Sequence, residues 1–236
     1  MSTKYTYWYF KNALTNEQCE KIIKLGQSKK ILQGKTREKN HKTAKKSISQ
    51  KDKSLEEFKK ELKLKKLSDK KIDNILKKDS YNRDCTISWL NDQWLYDLIW
   101  PFLIEANDKS GWKYEFDFAE SFQFTTYKKN EFYGWHIDSD TDHHAAYKED
   151  CKNKNYIGKI RKLSMTINLS NENDYEGGNL KFDLGPHQKD RFIECEEIRP
   201  RGSIIVFPSS VYHQVTPVTR GIRRSLVMWA LGRPFR

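Results

Sequence analysis

Apolar residues recur at helical spacing early in the chain and at every second position later, so the sequence divides into two kinds of structure. Thr15 to Gln18 precedes apolar Ile22, Ile23 and Leu25; Thr15 is expected to cap a helix, with Gln18 reaching back to it. The stretch Trp89 to Trp94 is expected to open another helix, its stripe running through Leu95, Leu98, Ile99, Phe102 and Ala106, with a kink or restart at Pro101. Between the two, Ser54 to Glu57 reads as a capping box for a helix through Leu55, Phe58, Leu62 and Leu67, and Ile72, Ile75 and Leu76 mark a further short helix. From Ser28 to Lys53 apolar residues are almost missing, which predicts a loop or disorder. Beyond Trp112, short runs rich in Val, Ile, Tyr and Phe alternate with turn residues and predict strands. Helices first and strands second is an α+β order.

One late run carries polar residues where a buried strand should be apolar. Ile222 to Leu231 is apolar on both faces over most of its length and so needs cover on both. Ile222, Leu226 and Met228 are expected beneath the N-terminal helices, with Arg224 facing the same way in a structural role; Arg223, Ser225, Val227 and Trp229 would line an interior. A guanidinium and a hydroxyl on one inner face can bind a carboxylate, because the arginine fork matches it bidentately. Ten positions earlier stands His213, and further back are His136 and Asp138. Two residues apart on a strand, His136 and Asp138 project to one face about 6.6 Å apart and can close on one ion. With His213 they make two imidazoles and a carboxylate, the set that holds non-haem Fe(II) and leaves three positions open. A 2-oxoacid chelating that iron would have its distal carboxylate at Arg223 and Ser225. A lone His-x-Asp pair is usually an ordinary polar pair; the conjunction with His213 and Arg223 carries the reading.

From about Ser121 to Gly232 the chain resembles the 2-oxoglutarate and Fe(II)-dependent dioxygenases of the prolyl 4-hydroxylase type, and it is similar to PKHD-type hydroxylases. The matching stretches are Phe124 to Tyr127, Gly134 to Asp138, Leu163 to Leu169, Tyr175 to Phe182, Gly202 to Pro208 and His213 to Trp229. The resemblance implies that His136, Asp138 and His213 ligate iron, that Arg223 pairs with the distal carboxylate of 2-oxoglutarate, and that Tyr127 donates a hydrogen bond to that cosubstrate. It also implies O2 as second cosubstrate, L-ascorbate as an optional addition, and release of succinate and CO2 as a C–H bond is hydroxylated. Collagen-type enzymes usually carry Lys where Arg223 stands, and PKHD-like proteins carry Arg, which weakens a collagen-like substrate while leaving the cofactor assignment intact. The expected fold is a double-stranded β-helix, or jelly roll, over residues 112–236, with N-terminal covering helices and a Lys-rich insertion at 28–80, all in a single domain. Asp138 fills the ligand position that a halide would need, so hydroxylation is favoured over halogenation. A prolyl residue in a polypeptide leads as substrate; a free amino acid, a small metabolite or a nucleic acid is the alternative, and a non-catalytic cupin-like metal-binding protein is the reading from another class.

Charge and composition narrow this. The net charge is +12, and Ser28 to Ser80 alone holds nineteen Lys and Arg against eight Asp and Glu. Phe58 is the one aromatic from Ser28 to Lys78, whereas single-stranded nucleic-acid sites interleave basic residues with stacking aromatics. The basic segment is therefore expected to be a flap near the site or a dock for an acidic partner, with nucleic acid not favoured. Cys19, Cys85, Cys151 and Cys195 are isolated and expected to be free thiols. No apolar leader opens the sequence and no run is long enough to span a bilayer, so a cytoplasmic protein with no membrane partner is expected. His143 and His144 are expected on a solvated loop beyond Asp138, and His41 and His187 have no partner signal.

Overall fold

The computed structural model describes residues 5–34, 82–186 and 188–235. The chain separates into two compact units, 1–34 with 84–236, and 35–83. All expectations for the capping box at Ser54, the helices after it and the basic stretch from Lys35 fall outside the described residues, as do His41 and His187.

Helix α1, Asn16–Ser28, begins as its sequence dictates: the Thr15 hydroxyl accepts from the Gln18 backbone N–H at 3.2 Å, and the Gln18 side chain accepts from the Thr15 N–H at 2.8 Å. It buries Cys19, Ile22, Ile23 and Gly26, while Leu25 is only partly covered. Gly26 is required by space: a Cβ there would sit 2.3 Å from the Phe124 ring. Helix α2, Gln93–Lys109, starts later than expected, at Asp92, because Thr86–Leu90 extends as a strand and takes Trp89 and Leu90 with it. It also continues through Pro101, which lies on the exposed face. An interior proline removes one helical hydrogen bond and crowds the preceding turn, at a cost of about 3 kcal/mol, and burial of Leu95, Ile99, Leu103 and Ala106 offsets that cost. Leu103 replaces Leu98 and Phe102 in the fully buried stripe.

The strands form two principal antiparallel sheets. They are β1 (Trp8–Phe10), β2 (Leu32–Gln33), β3 (Arg83–Asp84), β4 (Thr86–Leu90), β5 (Phe118–Ala119), β6 (Phe122–Tyr127), β7 (Phe132–His136), β8 (Ile160–Asn168), β9 (Tyr175–Gly177), β10 (Leu180–Asp183), β11 (Phe192–Glu194), β12 (Ile204–Pro208), β13 (Tyr212–Val215), β14 (Val218–Gly221) and β15 (Arg223–Gly232). The larger sheet runs β1-β12-β8-β15-β6-β4-β2, with β5 also paired to β15; the smaller runs β11-β10-β13-β7-β3, and β14 pairs with β9. Strands before residue 112 thus join the same sheets as those after it: in the larger sheet β1 forms one edge and β4 with β2 the other, and β3 ends the smaller sheet. Their shortness hid them from the sequence pattern.

Alternation along β12 connects the layers. Ile204 and Val206 enter a cluster with Cys19, Ile22, Leu95, Ile99, Leu226 and Met228, so both helices cover one face of the larger sheet. Ile205 and Phe207 point the other way and pack with Leu180 and Phe182 of the smaller sheet. The two sheets therefore enclose an interior between them, as a jelly roll does. Leu226 and Met228 lie where expected; Ile222 lies before β15 and does not join the helix-covered cluster.

Candidate metal centre and cosubstrate pocket

The smaller sheet brings the three candidate ligands together. His136 ends β7 and His213 lies on β13, and the two are direct register partners. Asp138 follows His136 by two residues and is held by its backbone, its N–H donating to the Ser209 carbonyl at 2.9 Å. His136 Nε2 lies 3.6 Å from Asp138 Oδ1, and His213 Nε2 lies 3.6 Å from Oδ2. All three ligand atoms lie within 4.8 Å of one another. Each imidazole is oriented by its other nitrogen: His136 Nδ1 lies 2.8 Å from the Gly134 carbonyl, and His213 Nδ1 lies 2.9 Å from that of Val211. A carbonyl only accepts, so Nδ1 carries the proton and Nε2 keeps its lone pair for an ion. Rings complete the support, with Tyr133 stacked on His136 at 3.5 Å between centroids and Phe207 edge-on to His213 at 4.6 Å.

Electrostatics suits this donor set. Burial pushes the His213 imidazolium down to about 4, with His136 adding to the effect, so His213 is neutral near pH 7. Burial works against the Asp138 charge, but His213, His136 and Arg161 beside it hold the carboxyl below the usual carboxylate range. A charged carboxylate beside two imidazoles is the donor set that a divalent ion of borderline softness takes.

Residues absent from the sequence-based candidate set also hold the site. Ser164, buried on β8, donates to Asp138 Oδ2 at 2.6 Å, and its hydroxyl lies 2.9 Å from that of Ser209. Arg161, earlier on β8, forms a forked pair with Glu120 at 2.5 and 2.7 Å and lies over the Trp229 ring at 3.8 Å. The Tyr147 hydroxyl donates to the same Glu120 at 2.7 Å. Nothing local in the sequence pairs Glu120 with Arg161; only the sheet joins them.

The expected carboxylate clamp lies on the inner face of β15. Arg223 is 1 % exposed and Ser225 equally so, and Trp229 is 5 % exposed. The Arg223 Nη1 makes one long bond to the Ser225 hydroxyl at 3.5 Å, while Nε and Nη2 are buried without a partner. Those two N–H groups form one edge of the guanidinium, the edge that grips a carboxylate bidentately. A buried cation so incompletely matched is costly in a protein with nothing to bind. Tyr127 is the register partner of Arg223 on β6, and its ring centre lies 5.6 Å from the guanidinium carbon. Gly178, with φ of +61°, leaves the space that Arg223 needs: a Cβ there would lie 2.8 Å from Arg223 Cδ. The missing side chain at Gly178 thus has its reason in the arginine. Arg224 points away from this pocket, and His144 is exposed on the loop beyond Asp138.

Comparison with known proteins agrees with this geometry. Residues 122–231 match the model of the 2OG-Fe(II) oxygenase superfamily. The PKHD-type hydroxylase YbiX of Shigella boydii is 36% identical over 107 residues, which is 45% of this chain and 40% of that protein. A PKHD-type hydroxylase of Synechococcus sp. strain CC9902 is 39% identical over 98 residues, 41% of this chain and 35% of that one. The chain thus spans about two fifths of the length of these curated relatives. Among solved structures, a viral collagen prolyl hydroxylase from Paramecium Bursaria Chlorella virus-1 superposes with a TM-score of 0.55 at 14% identity, covering 97% of both chains. A Pseudomonas putida prolyl-4-hydroxylase gives 0.53 at 17%, covering 98% of this chain and 94% of that one. That family takes Fe(II), 2-oxoglutarate and O2, and the unpartnered edge of Arg223 together with the His-Asp-His cluster fits such a set. Over residues 122–231 this chain is thus similar to the 2OG-Fe(II) oxygenase superfamily, on a fold it shares with prolyl hydroxylases.

Proposed function

We propose that this protein is a 2-oxoglutarate- and Fe(II)-dependent dioxygenase that hydroxylates a C–H bond, with a prolyl residue of a polypeptide as its substrate. The observation that carries the cosubstrate is the bare, buried edge of Arg223 on the inner face of the larger sheet, across the interior from the smaller sheet that bears the two histidines. His136, Asp138 and His213 hold the iron through Nε2 atoms and a carboxylate oxygen, and their backbone-locked tautomers avoid reorganisation when it binds. Arg223, braced by Ser225, holds the distal carboxylate of 2-oxoglutarate, and Tyr127 supports the same cosubstrate. With iron, 2-oxoglutarate and O2 bound, the site supplies oxidation of a C–H bond to an alcohol, one oxygen atom going to product and one to succinate as CO2 leaves. Asp138 occupies the position that a halide would take, which favours hydroxylation. The enclosure between two sheets excludes bulk water from the reacting centre.

The polypeptide substrate rests on likeness to prolyl hydroxylases, one of which was solved with a peptide fragment of hypoxia inducible factor. No helix among the described residues is long and apolar enough to cross a membrane. Aerobic incubation with Fe(II) and 2-oxoglutarate should release succinate, and a screen of proline-containing peptides, free amino acids and oligonucleotides, read by mass spectrometry, should add one oxygen at proline. Stoichiometric oxidation of a free amino acid, or base-dependent stimulation by an oligonucleotide, would overturn the polypeptide reading and leave the dioxygenase standing. Tight zinc binding with no consumption of 2-oxoglutarate would return the chain to the non-catalytic metal-binding class.

A further inference from the structure

A second unpartnered group lies beside the Arg223 pocket. Tyr175, the first residue of β9, is 1 % exposed, and its hydroxyl is buried with no hydrogen-bond partner. The space that a Cβ on Gly178 would take locates it, since that point is 2.8 Å from Arg223 Cδ, 3.0 Å from Val218 Cγ2 and 3.7 Å from Tyr175 Cε2. Cε2 is bonded to the carbon that bears the hydroxyl, so the phenol end of the ring and the arginine stem flank one small gap kept open by a glycine. Arg199 lies against the ring, its guanidinium carbon 4.4 Å from the centroid, and its own donors go to the Gly177, Tyr175 and Glu172 carbonyls and to Asn179. It fixes the ring and leaves the hydroxyl unsatisfied.

A buried hydroxyl without a partner costs about 1 to 3 kcal/mol, and a Phe at this position would avoid that cost. The orphan hydroxyl and the orphan edge of Arg223 have complementary needs, because a carboxylate has two oxygens and several lone pairs, more than one guanidinium edge uses. We infer that the Tyr175 hydroxyl is a further donor to the distal carboxylate of the 2-oxoacid, and that with Arg223 it sets the preference for a dicarboxylate over a 2-oxo monocarboxylate. This rests on the cosubstrate reading above and deepens it. Gly178 is part of the same device: a side chain there would press on the Arg223 stem and approach the Tyr175 ring.

The test is Tyr175→Phe, which preserves the ring and removes one oxygen. Binding of 2-oxoglutarate and of 2-oxopentanoate, which lacks the distal carboxylate, is measured by calorimetry on the Mn(II)-loaded full chain, with unfolding temperatures of the ligand-free forms alongside. The expected result is a 2-oxoglutarate dissociation constant raised about tenfold to a hundredfold, as for loss of a hydrogen bond to a charged group. Binding of 2-oxopentanoate should be unchanged, and the ligand-free variant should unfold at or above the wild-type temperature. Equal weakening of both ligands, or a destabilised ligand-free variant, would assign the hydroxyl a structural partner and overturn the inference. Unchanged 2-oxoglutarate affinity would overturn it as well. Failure of the wild-type chain to bind 2-oxoglutarate would instead refute the cosubstrate reading, so the two failures are distinct.

Discussion

Replacement of Ser164 by Ala should weaken metal binding without disturbing the fold, and the structure sets the size of the effect. Ser164 has one hydroxyl proton, and the 2.6 Å contact places it on Asp138 Oδ2. In the 2.9 Å contact between the two serines, Ser209 must then be the donor, so the chain runs Ser209 to Ser164 to Asp138. A hydrogen bond to an ionised acceptor contributes about 1.5 to 3 kcal/mol, equivalent to about one to two powers of ten in an equilibrium constant. Partners that orient metal ligands have effects of the same size, about 10- to 100-fold in affinity. The Asp138 backbone stays anchored to the Ser209 carbonyl at 2.9 Å, so the loss falls on the carboxylate alone. Mn(II) titration should therefore give a dissociation constant about 10- to 100-fold higher for Ser164→Ala, with an unchanged circular dichroism spectrum. Ser209→Ala should have the smaller effect, since Ser164 keeps its proton on Asp138. Affinity within twofold of wild type for Ser164→Ala, or a larger loss for Ser209→Ala, would refute the proposed direction of this chain.

Three other outcomes follow from packing and charge. Gly26→Ala, which gains about 1 kcal/mol in an exposed helix, should instead lower the unfolding temperature, because the new carbon would sit 2.3 Å from the Phe124 ring and force α1 off the sheet; a more stable variant would show that the helix can shift freely. Arg223→Met should raise the unfolding temperature of the ligand-free protein, since it removes a buried cation with two bare donors, and should abolish stabilisation by 2-oxoglutarate; retained ligand stabilisation would move the clamp elsewhere. The Cys195 thiol is pushed up to about 12, first by burial and then by Glu197, from an ordinary 9.0. A raised folded value means its contribution is intact below pH 9.0 and lost as pH climbs toward 12, so Cys195→Ala should flatten the alkaline fall in unfolding temperature; an unaltered alkaline limb would refute that assignment.

The contrast between Arg223 and Glu120 separates what sequence can disclose from what only the fold supplies. Arg223 was visible because β15 is a long, buried strand: a charged residue in a run of Leu, Val, Met and Trp violates the pattern of its own segment, and a local violation can be read locally. His136 and Asp138 share a face by strand period alone, and the Thr15 cap is fixed by residues three apart. Glu120 violates nothing, since it lies between two short strands, and its partners Tyr147 and Arg161 are distant in sequence. Ser164 and Tyr175 are ordinary strand residues until tertiary contacts form around them, the Ser164 hydroxyl meeting a carboxylate and the Tyr175 hydroxyl buried with no hydrogen-bond partner. The misplaced start of α2 has the same origin: Trp89 and Leu90 suit either a helix or a strand, and pairing of β4 with β6 decides between them. Local pattern thus pointed to the candidate metal donors and the cation, whereas the groups that orient those side chains depend on contacts across sheets, where sequence spacing carries no period. Substitutions at Ser164, Glu120 and Tyr175 should accordingly change affinity and geometry at the site while leaving the secondary structure of their own strands and loops intact.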